Sequence, residues 1–403
     1  MRSVPEGGCH RPERLRRINR NPFALCTFPS SCNPDTPNFQ PSLWASDIKL
    51  LTDGRHFVVS HSDEYLELWD LVTGHRKHLL VTGPFCGFQS LEAQDALHVA
   101  ILRDNPKWTL EVRRIRRGTG MSATLSSLQL ISAARMERPL ICDRFVAILH
   151  HGLEESAVLL LDWYAETYVL VEVSFAAGSP GPVLVPGFLI LASALPDGQE
   201  IRVYSFASFK DQWRLLSTVT PAASLTTVEC GAVSPVARQR VEFSGGDPAP
   251  RTSFLTLAAH VSLIDADTFV ISLYATNSIH PPGSSTNFPW SSLRSRRASG
   301  ARARGAFLRY RLAAGPDPDS WCLVEIQNTP ENPHLALHAL SYCGYAIGGV
   351  KTAYAFIPQN VVRLGSRAPI LKWNSSMPHT TMAPYGGTVI RIQNDWVEIA
   401  YYG

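Results

Sequence analysis

Residues 48–80 constrain the fold of this chain more than any other stretch. They read IKLL, TDGR, HFVVSHS, DEY, LELWDLVTG and HRKHLL, four short strands separated by turn residues. Leu66 and Leu68 alternate with polar or amphipathic neighbours, the period of two expected of a half-buried strand. Asp53-Gly54 and Thr73-Gly74 supply the backbone freedom that tight connections need. Trp69-Asp70 closes the third run. No segment of this length can bury its own faces, so the unit needs similar units on either side.

The rhythm continues along the chain. Residues 85–91, 96–103 and 108–115 form a second group of strands. A third contains 125–132, 143–149, 157–162 and 167–173, and here Asp162-Trp163 takes the place that Trp69-Asp70 held before. A fourth comprises 183–185, 188–192, 200–206 and 213–219, with a turn at Pro196-Asp197-Gly198. Apolar runs such as Val158-Leu159-Leu160-Leu161 predict strands buried on both faces. Strands follow at 255–264 and 268–276 around Asp265-Ala266-Asp267, then at 306–312, 321–327, 338–347, 352–357 and 361–364. An apolar strand at 396–402 places ring closure at the end of the chain, where closure removes a sheet edge. No stretch holds a helical period. The expected fold is all-β, a WD-repeat-like β-propeller over residues 46–403; repeats of about 45–50 residues give about seven four-stranded blades, some degenerate.

Two stretches fall outside the pattern. Residues 1–45 carry Pro5, Pro12, Pro22, Pro29, Pro34, Pro37 and Pro41, with arginines between 11 and 20, and read as a largely irregular arm. Residues 279–305 form an irregular Arg/Ser-rich insert. Its Arg294, Arg296, Arg297, Arg302 and Arg304 are candidate contacts for an acidic partner, and Arg296-Arg297-Ala298-Ser299 has the form of a basophilic kinase site.

Charge and cysteine usage exclude some functions. Over 403 residues the net charge is only +3, which argues against nucleic acid as the default partner. The 8 cysteines are scattered, without C-x-x-C spacing, and read as reduced thiols rather than as zinc ligands or a disulfide scaffold. Neither a signal peptide nor a span long enough to cross a bilayer is visible; the expected setting is intracellular, cytoplasmic or nuclear.

The chain carries no G-x-S-x-G elbow, H-E-x-x-H helix or P-loop. Asp265-x-Asp267 lacks the glycine and terminal glutamate of a calcium loop and reads as a turn. His150-His151 ends a strand without identifiable co-ligands, and Glu154-Glu155 reads as a solvated turn. Trp69, Trp163, Trp213, Trp321 and Trp396 sit at strand ends and read as packing residues; Trp69, Asp70, Asp162 and Trp163 serve as blade markers. These readings give no catalytic, cofactor-binding or metal-binding residue.

The phrase formed by Ile48-Lys49-Leu50-Leu51, Gly54-Arg55, Val58-Val59 and Leu68-Trp69-Asp70-Leu71 resembles the WD-repeat-like region of fungal F-box proteins. The likeness continues through residues 143–147, Leu160, Asp162-Trp163, Leu189-Ile190-Leu191 and residues 200–204. It implies a substrate-selecting propeller in a cullin-based ubiquitin ligase, although residues 1–45 show no leucine-rich F-box. The expected function is therefore a non-enzymatic protein-interaction module without a cofactor. The competing readings are a propeller hydrolase or lyase with a central-channel site, and a nucleic-acid binder acting through the Arg-rich insert.

Overall fold

The structure, a computed structural model, describes residues 25–29, 45–51, 55–61, 65–70, 76–79, 87–93, 95–104, 108–130, 135–151, 156–173, 181–195, 198–216, 227–228, 233–241, 252–277, 304–315, 320–333, 337–343, 345–348, 352–357, 360–364, 379–382, 384–385, 388–393 and 396–401. Strand β1 (Leu25–Pro29) comes first in the chain and joins the last sheet. The first blade is β2 (Ala45–Leu50), β3 (His56–His61), β4 (Tyr65–Asp70) and β5 (Arg76–Leu79). The second is β6 (Gly87–Ala93), β7 (Ala96–Asp104), β8 (Trp108–Arg116) and β9 (Ser122–Leu130).

In the third blade the first strand is split into β10 (Arg135–Met136) and β11 (Leu140–Cys142), both paired with β12 (Phe145–His151). Strands β13 (Ser156–Asp162) and β14 (Thr167–Val173) follow. The fourth blade is β15 (Val183–Val185), β16 (Phe188–Leu195) and β17 (Gly198–Ser205), completed by β20 (Ala237–Val241). Between β17 and β20 lie a 3-10 turn (Phe206–Phe209) and two short strands, β18 (Arg214–Leu215) and β19 (Thr227–Val228), which pair with β14 of the neighbouring blade.

The fifth blade is β21 (Thr252–Val261), β22 (Phe269–Asn277), β23 (Arg304–Ala314) and β24 (Trp321–Pro333). The sixth is β25 (Leu337–Leu340), β26 (Tyr345–Gly348), β27 (Thr352–Ile357) and β28 (Asn360–Leu364). The seventh is β29 (His379–Met382), β30 (Thr388–Gln393) and β31 (Trp396–Tyr401), with β1 as its outer strand.

The first strands of the blades meet in sequence, from β2 through β6, β11, β15, β21, β25 and β29, and β29 returns to β2. Seven blades thus form a closed ring, a WD-like β-propeller. Closure uses both ends of the described chain: Leu25 lies opposite Ala400 and Pro29 opposite Trp396. Ring closure at the C-terminal strand was expected. The use of residues 25–29, inside the stretch read as an irregular arm, was not. An outermost strand tolerates Pro29 because one side of its ladder is free.

Apolar clusters fill the spaces between successive blades. Leu66, Leu68 and Val58 of the first blade meet Phe88, Val99 and Ile101 of the second. Ala100 and Val112 meet Val146 and Leu161 of the third. Val158 and Leu160 meet Leu189 and Tyr204 of the fourth, and Ile190 and Val203 meet Ile271 and Leu308 of the fifth. Because blades are covered on both sides, β13 is buried along six of its seven residues. Strand β4 departs from the half-buried expectation for the same reason: residues 66–69 are all buried, including the carboxylate of Glu67.

Several strand groupings also change. Residues 122–130 complete the second blade instead of opening the third. Arg214-Leu215, expected as the outer strand of the fourth blade, pairs with Tyr168 and Thr167 of the third. The apolar β14, buried at Tyr168, Val169, Val171 and Val173, gains this cover, and β20 takes the vacated place. Residues 338–347 divide at a turn into β25 and β26.

Asp70 and Asp162 occupy equivalent corners, each ending its blade's third strand. An arginine just before the second strand reaches each of them. Arg55 gives Asp70 two hydrogen bonds, 3.1 and 2.6 Å, and Arg144 Nε lies 3.0 Å from Asp162 Oδ2. Asp162 Oδ1 also accepts the Tyr164 and Ala165 amides, fixing the next turn. In the second blade the charges are exchanged, with Asp95 before the second strand and Arg114 bonded to it at 3.0 Å. The tryptophans are not equivalent. Trp69 is buried in its strand, stacked on Phe57 at 5.7 Å, whereas Trp163 lies in the turn with its ring edge on His98 at 5.4 Å.

Candidate functional site

Antiparallel alternation sends the first-to-second and third-to-fourth strand connections of each blade to one face of the ring, here termed the turn face. The connection between β22 and β23, which contains most of the arginine-rich insert, leaves from the opposite face. Arg294, Arg296, Arg297 and Arg302 lie outside the described residues, while Arg304 is the first residue of β23, opposite Asn277.

The turn face presents large apolar side chains to solvent on the second, third and fifth blades. Met121 (63% exposed) stands on the second blade, Tyr164 (76%) on the third, and Leu215 (78%) beside it on β18. On the fifth blade Leu263 (64%) and Ile264 (94%) form the tip of the turn after β21. That turn is closely braced. Ser262 N–H donates to Thr268 O at 2.8 Å, and Ser262 Oγ accepts from the Ile264 and Asp265 amides. Asp265 accepts from the Asp267 amide at 3.1 Å and from Thr268 Oγ1 at 2.5 Å. These bonds hold the Asp265 carboxyl below its ordinary pKa; the Thr268 hydroxyl contributes most. Asp265-x-Asp267 is thus a turn, as its spacing indicated.

Nearer the ring axis the fifth, sixth and seventh blades are joined by aromatic and polar groups. Tyr342, in the turn after β25, stands with its hydroxyl 3.3 Å from Ser262 Oγ, and its amide donates to Pro384 O at 2.6 Å. Tyr385 packs on Tyr342 at 5.7 Å and on His260 at 5.6 Å. Cys343 Sγ–H donates to Tyr385 O at 3.1 Å. His260 Nε2 lies 3.4 Å from Leu340 O, and Arg309 Nη2 donates to Tyr342 O.

Burial pushes the His260 pKa down to about 4; the nearby Arg309 charge adds to this and the bond to the Leu340 carbonyl opposes it. His260 is therefore neutral at pH 7. Cys142, in the equivalent turn region of the third blade, is pushed up to about 12, first by burial and then by the Asp143 charge. A thiol held protonated in this way is a poor nucleophile. No cluster of three or more His, Cys, Asp or Glu side chains suited to a metal occurs among the described residues. His150 lies in β12 opposite Ala157, and Glu154-Glu155 lies outside the described residues. Trp213 and Trp321 pack on Phe145 (5.8 Å) and Phe188 (4.5 Å).

No protein-family model matches the sequence, and no curated protein matches it significantly. Among solved structures, the β-propeller domain of Cps50 (Swd1) from Myceliophteria thermophila is similar, with a TM-score of 0.51 at 9% identity, covering 89% of this chain and 97% of that one. An oligogalacturonate lyase in complex with manganese gives 0.48 at 11% identity, over 88% of each chain. The WD40 domain of SCAP from fission yeast gives 0.40 at 11% identity, over 88% of this chain and 84% of that one. At these identities the Swd1 likeness shows the fold alone, and the two weaker ones carry no argument. Among the described residues no helix is long and apolar enough to cross a membrane.

The sequence reading missed Leu263, Ile264 and the Tyr342–Tyr385 group. A signal for the first two was present: an aliphatic pair inside a Ser/Asp turn lies where a solvated loop should be polar. Nothing in the sequence places His260, Arg309, Tyr342 and Tyr385 together, since they come from three blades.

Proposed function

We propose that this protein is a non-enzymatic interaction module that docks a protein partner on its turn face. The observation that carries this reading is the Leu263-Ile264 tip, aliphatic and exposed, yet fixed by side-chain and backbone hydrogen bonds. A preorganised apolar tip gives up little conformational freedom on docking, the property of an interface anchor. Tyr164, Leu215 and Met121 extend the surface around the rim.

A finer form of the proposal makes the module the substrate-recognition part of an F-box-type ubiquitin-ligase adaptor; its support is the resemblance of residues 48–71. The insert arginines, Arg294, Arg296, Arg297, Arg302 and Arg304, are a second proposed contact, for an acidic segment approaching the opposite face. An intracellular setting is consistent with the free thiols of Cys142, Cys322 and Cys343.

The test is quantitative affinity capture from the native source, comparing the wild-type chain with Ile264→Asp and with a variant in which residues 279–301 become a Gly/Ser linker. Loss of the same captured proteins in Ile264→Asp, with the folded ring intact by circular dichroism, is expected. Retention of every captured protein in that variant refutes the turn-face reading. Cullin-ligase subunits among the captured proteins would support the finer form, and their absence would remove it.

A further inference from the structure

The two sides of the fifth blade differ in chemistry. Toward the fourth blade it presents Leu257, Ile271, Leu273, Leu308 and Leu312, all within one apolar cluster. The alternate residues face the sixth blade. Strand register sets Ala258, Ser272, Arg309 and Gln327 in one row across the sheet, with Thr256 and His260 flanking it on β21. Thr256, Ser272 and Gln327 are buried. The sixth blade meets this surface with the Leu340 carbonyl, buried Ser341, Tyr342 and Cys343. Val270, Tyr274 and Phe307 add buried apolar groups to the same side, so the polar row through Arg309 is enclosed and costs stability unless its groups are paired.

Arg309 is the group left short. Its Nη2 donates to the Tyr342 carbonyl and its guanidinium lies 6.0 Å from the Tyr342 ring centre. Its Nε–H is buried without an acceptor, as is the hydroxyl of its cross-strand neighbour Ser272. The other half-buried arginines among the described residues each have a carboxylate. Arg103 and Arg113 share Glu111, Arg117 has Glu92, and Arg202 has Glu200. For Arg309 no ion pair with a carboxylate occurs among the described residues, and burial lowers its pKa. A partly desolvated cation, two orphaned polar atoms on adjacent strands and a second, neutral base beside them point to a missing anion.

We propose that the seam between the fifth and sixth blades is an anion-binding site in which Arg309 receives a carboxylate carried by the docking partner. This rests on the turn-face reading, because Tyr342 bonds to the Leu263-Ile264 turn from one side and to Arg309 from the other. The ligand class follows from charge. One cation beside a neutral imidazole balances one carboxylate, whereas a phosphate dianion would bring surplus charge into a half-buried seam. A planar carboxylate also matches the flat donor edge of a guanidinium.

The probe is acetate, added to the purified full chain at constant ionic strength with chloride as the balancing ion. Wild-type protein is expected to gain about 1–2 °C in unfolding midpoint at tenfold excess over the dissociation constant, more than in inorganic phosphate, and Arg309→Met is expected to show no difference between the salts. The His260 imidazole, which lies against Tyr385 and within reach of the Arg309 charge, supplies a local readout in the wild-type chain should the variant not fold. Acetate on Arg309 offsets its charge and raises the His260 titration midpoint. Equal midpoints in acetate and chloride with an unmoved imidazole would overturn the site, as would an acetate response that persists in Arg309→Met. Acetate binding needs no partner, so it can succeed where Ile264→Asp leaves capture unchanged; in that case the docking reading fails and the anion site stands.

Discussion

Trp69 offers a direct measure of what holds the first blade together. Its ring is buried, stacked on the buried Phe57 at 5.7 Å, and its Nε1–H donates to Glu67 Oε2 at 3.0 Å. Two effects can be separated by two substitutions. Trp69→Ala removes the stacked ring and leaves a cavity, a loss of about 3–5 kcal/mol, with the carboxylate's lost donor placing the result near the upper end. Trp69→Phe keeps most of the apolar contact and deletes only the bond to the carboxylate, a loss of about 1.5–3 kcal/mol. Glu67 keeps its contact with His78 Nε2 at 3.5 Å in both variants, which prevents the second figure from rising further. Equilibrium urea unfolding followed by far-ultraviolet circular dichroism at pH 7 gives both values, and a cycle with Glu67→Gln isolates the hydrogen bond. A Trp69→Ala loss below about 1 kcal/mol would refute the blade-core assignment. A Trp69→Phe loss equal to that of Trp69→Ala would show that the ring contributes nothing beyond its N–H.

Two further outcomes follow from the geometry. His260 has a folded-state pKa of about 4 against an ordinary 6.5, so unfolding takes up a proton between those values. Its contribution is fully present above pH 6.5 and is lost as pH falls toward 4, at most about 3 kcal/mol; urea midpoints of wild type and His260→Phe that fall in parallel from pH 6.5 to 4 would contradict this. Gly120 has φ +74° and an added Cβ would lie 2.9 Å from the His78 carbonyl oxygen, so Gly120→Ala should cost about 1–2 kcal/mol or more. Gly118 has open space around it, so Gly118→Ala should stay within about 0.5 kcal/mol in the same unfolding measurement.

Much of the fold was legible because its signals are local. Turn residues and the period of two in residues 48–80 define a four-stranded antiparallel unit without reference to the rest of the chain. The continuous apolar run of β13 likewise announced a strand covered on both sides, and the structure buries it so. The Asp70 and Asp162 corners stood out in sequence because each ends an apolar strand. Their shared reason, an arginine bonded across the hairpin, became apparent only in three dimensions.

The residues alone determined a chain of short antiparallel units and about how many there are. Tertiary structure decided what no unit specifies by itself: that Leu25–Pro29 completes the last blade, that Arg214-Leu215 covers its neighbour, and that Arg309 faces Tyr342 with no carboxylate among the described residues. A strand's turns and faces are written in adjacent residues, but its outer edge pairs with whatever ring closure brings alongside. The seam around Arg309 is set the same way, by side chains some 30 to 80 positions apart that meet only when the fifth and sixth blades pack.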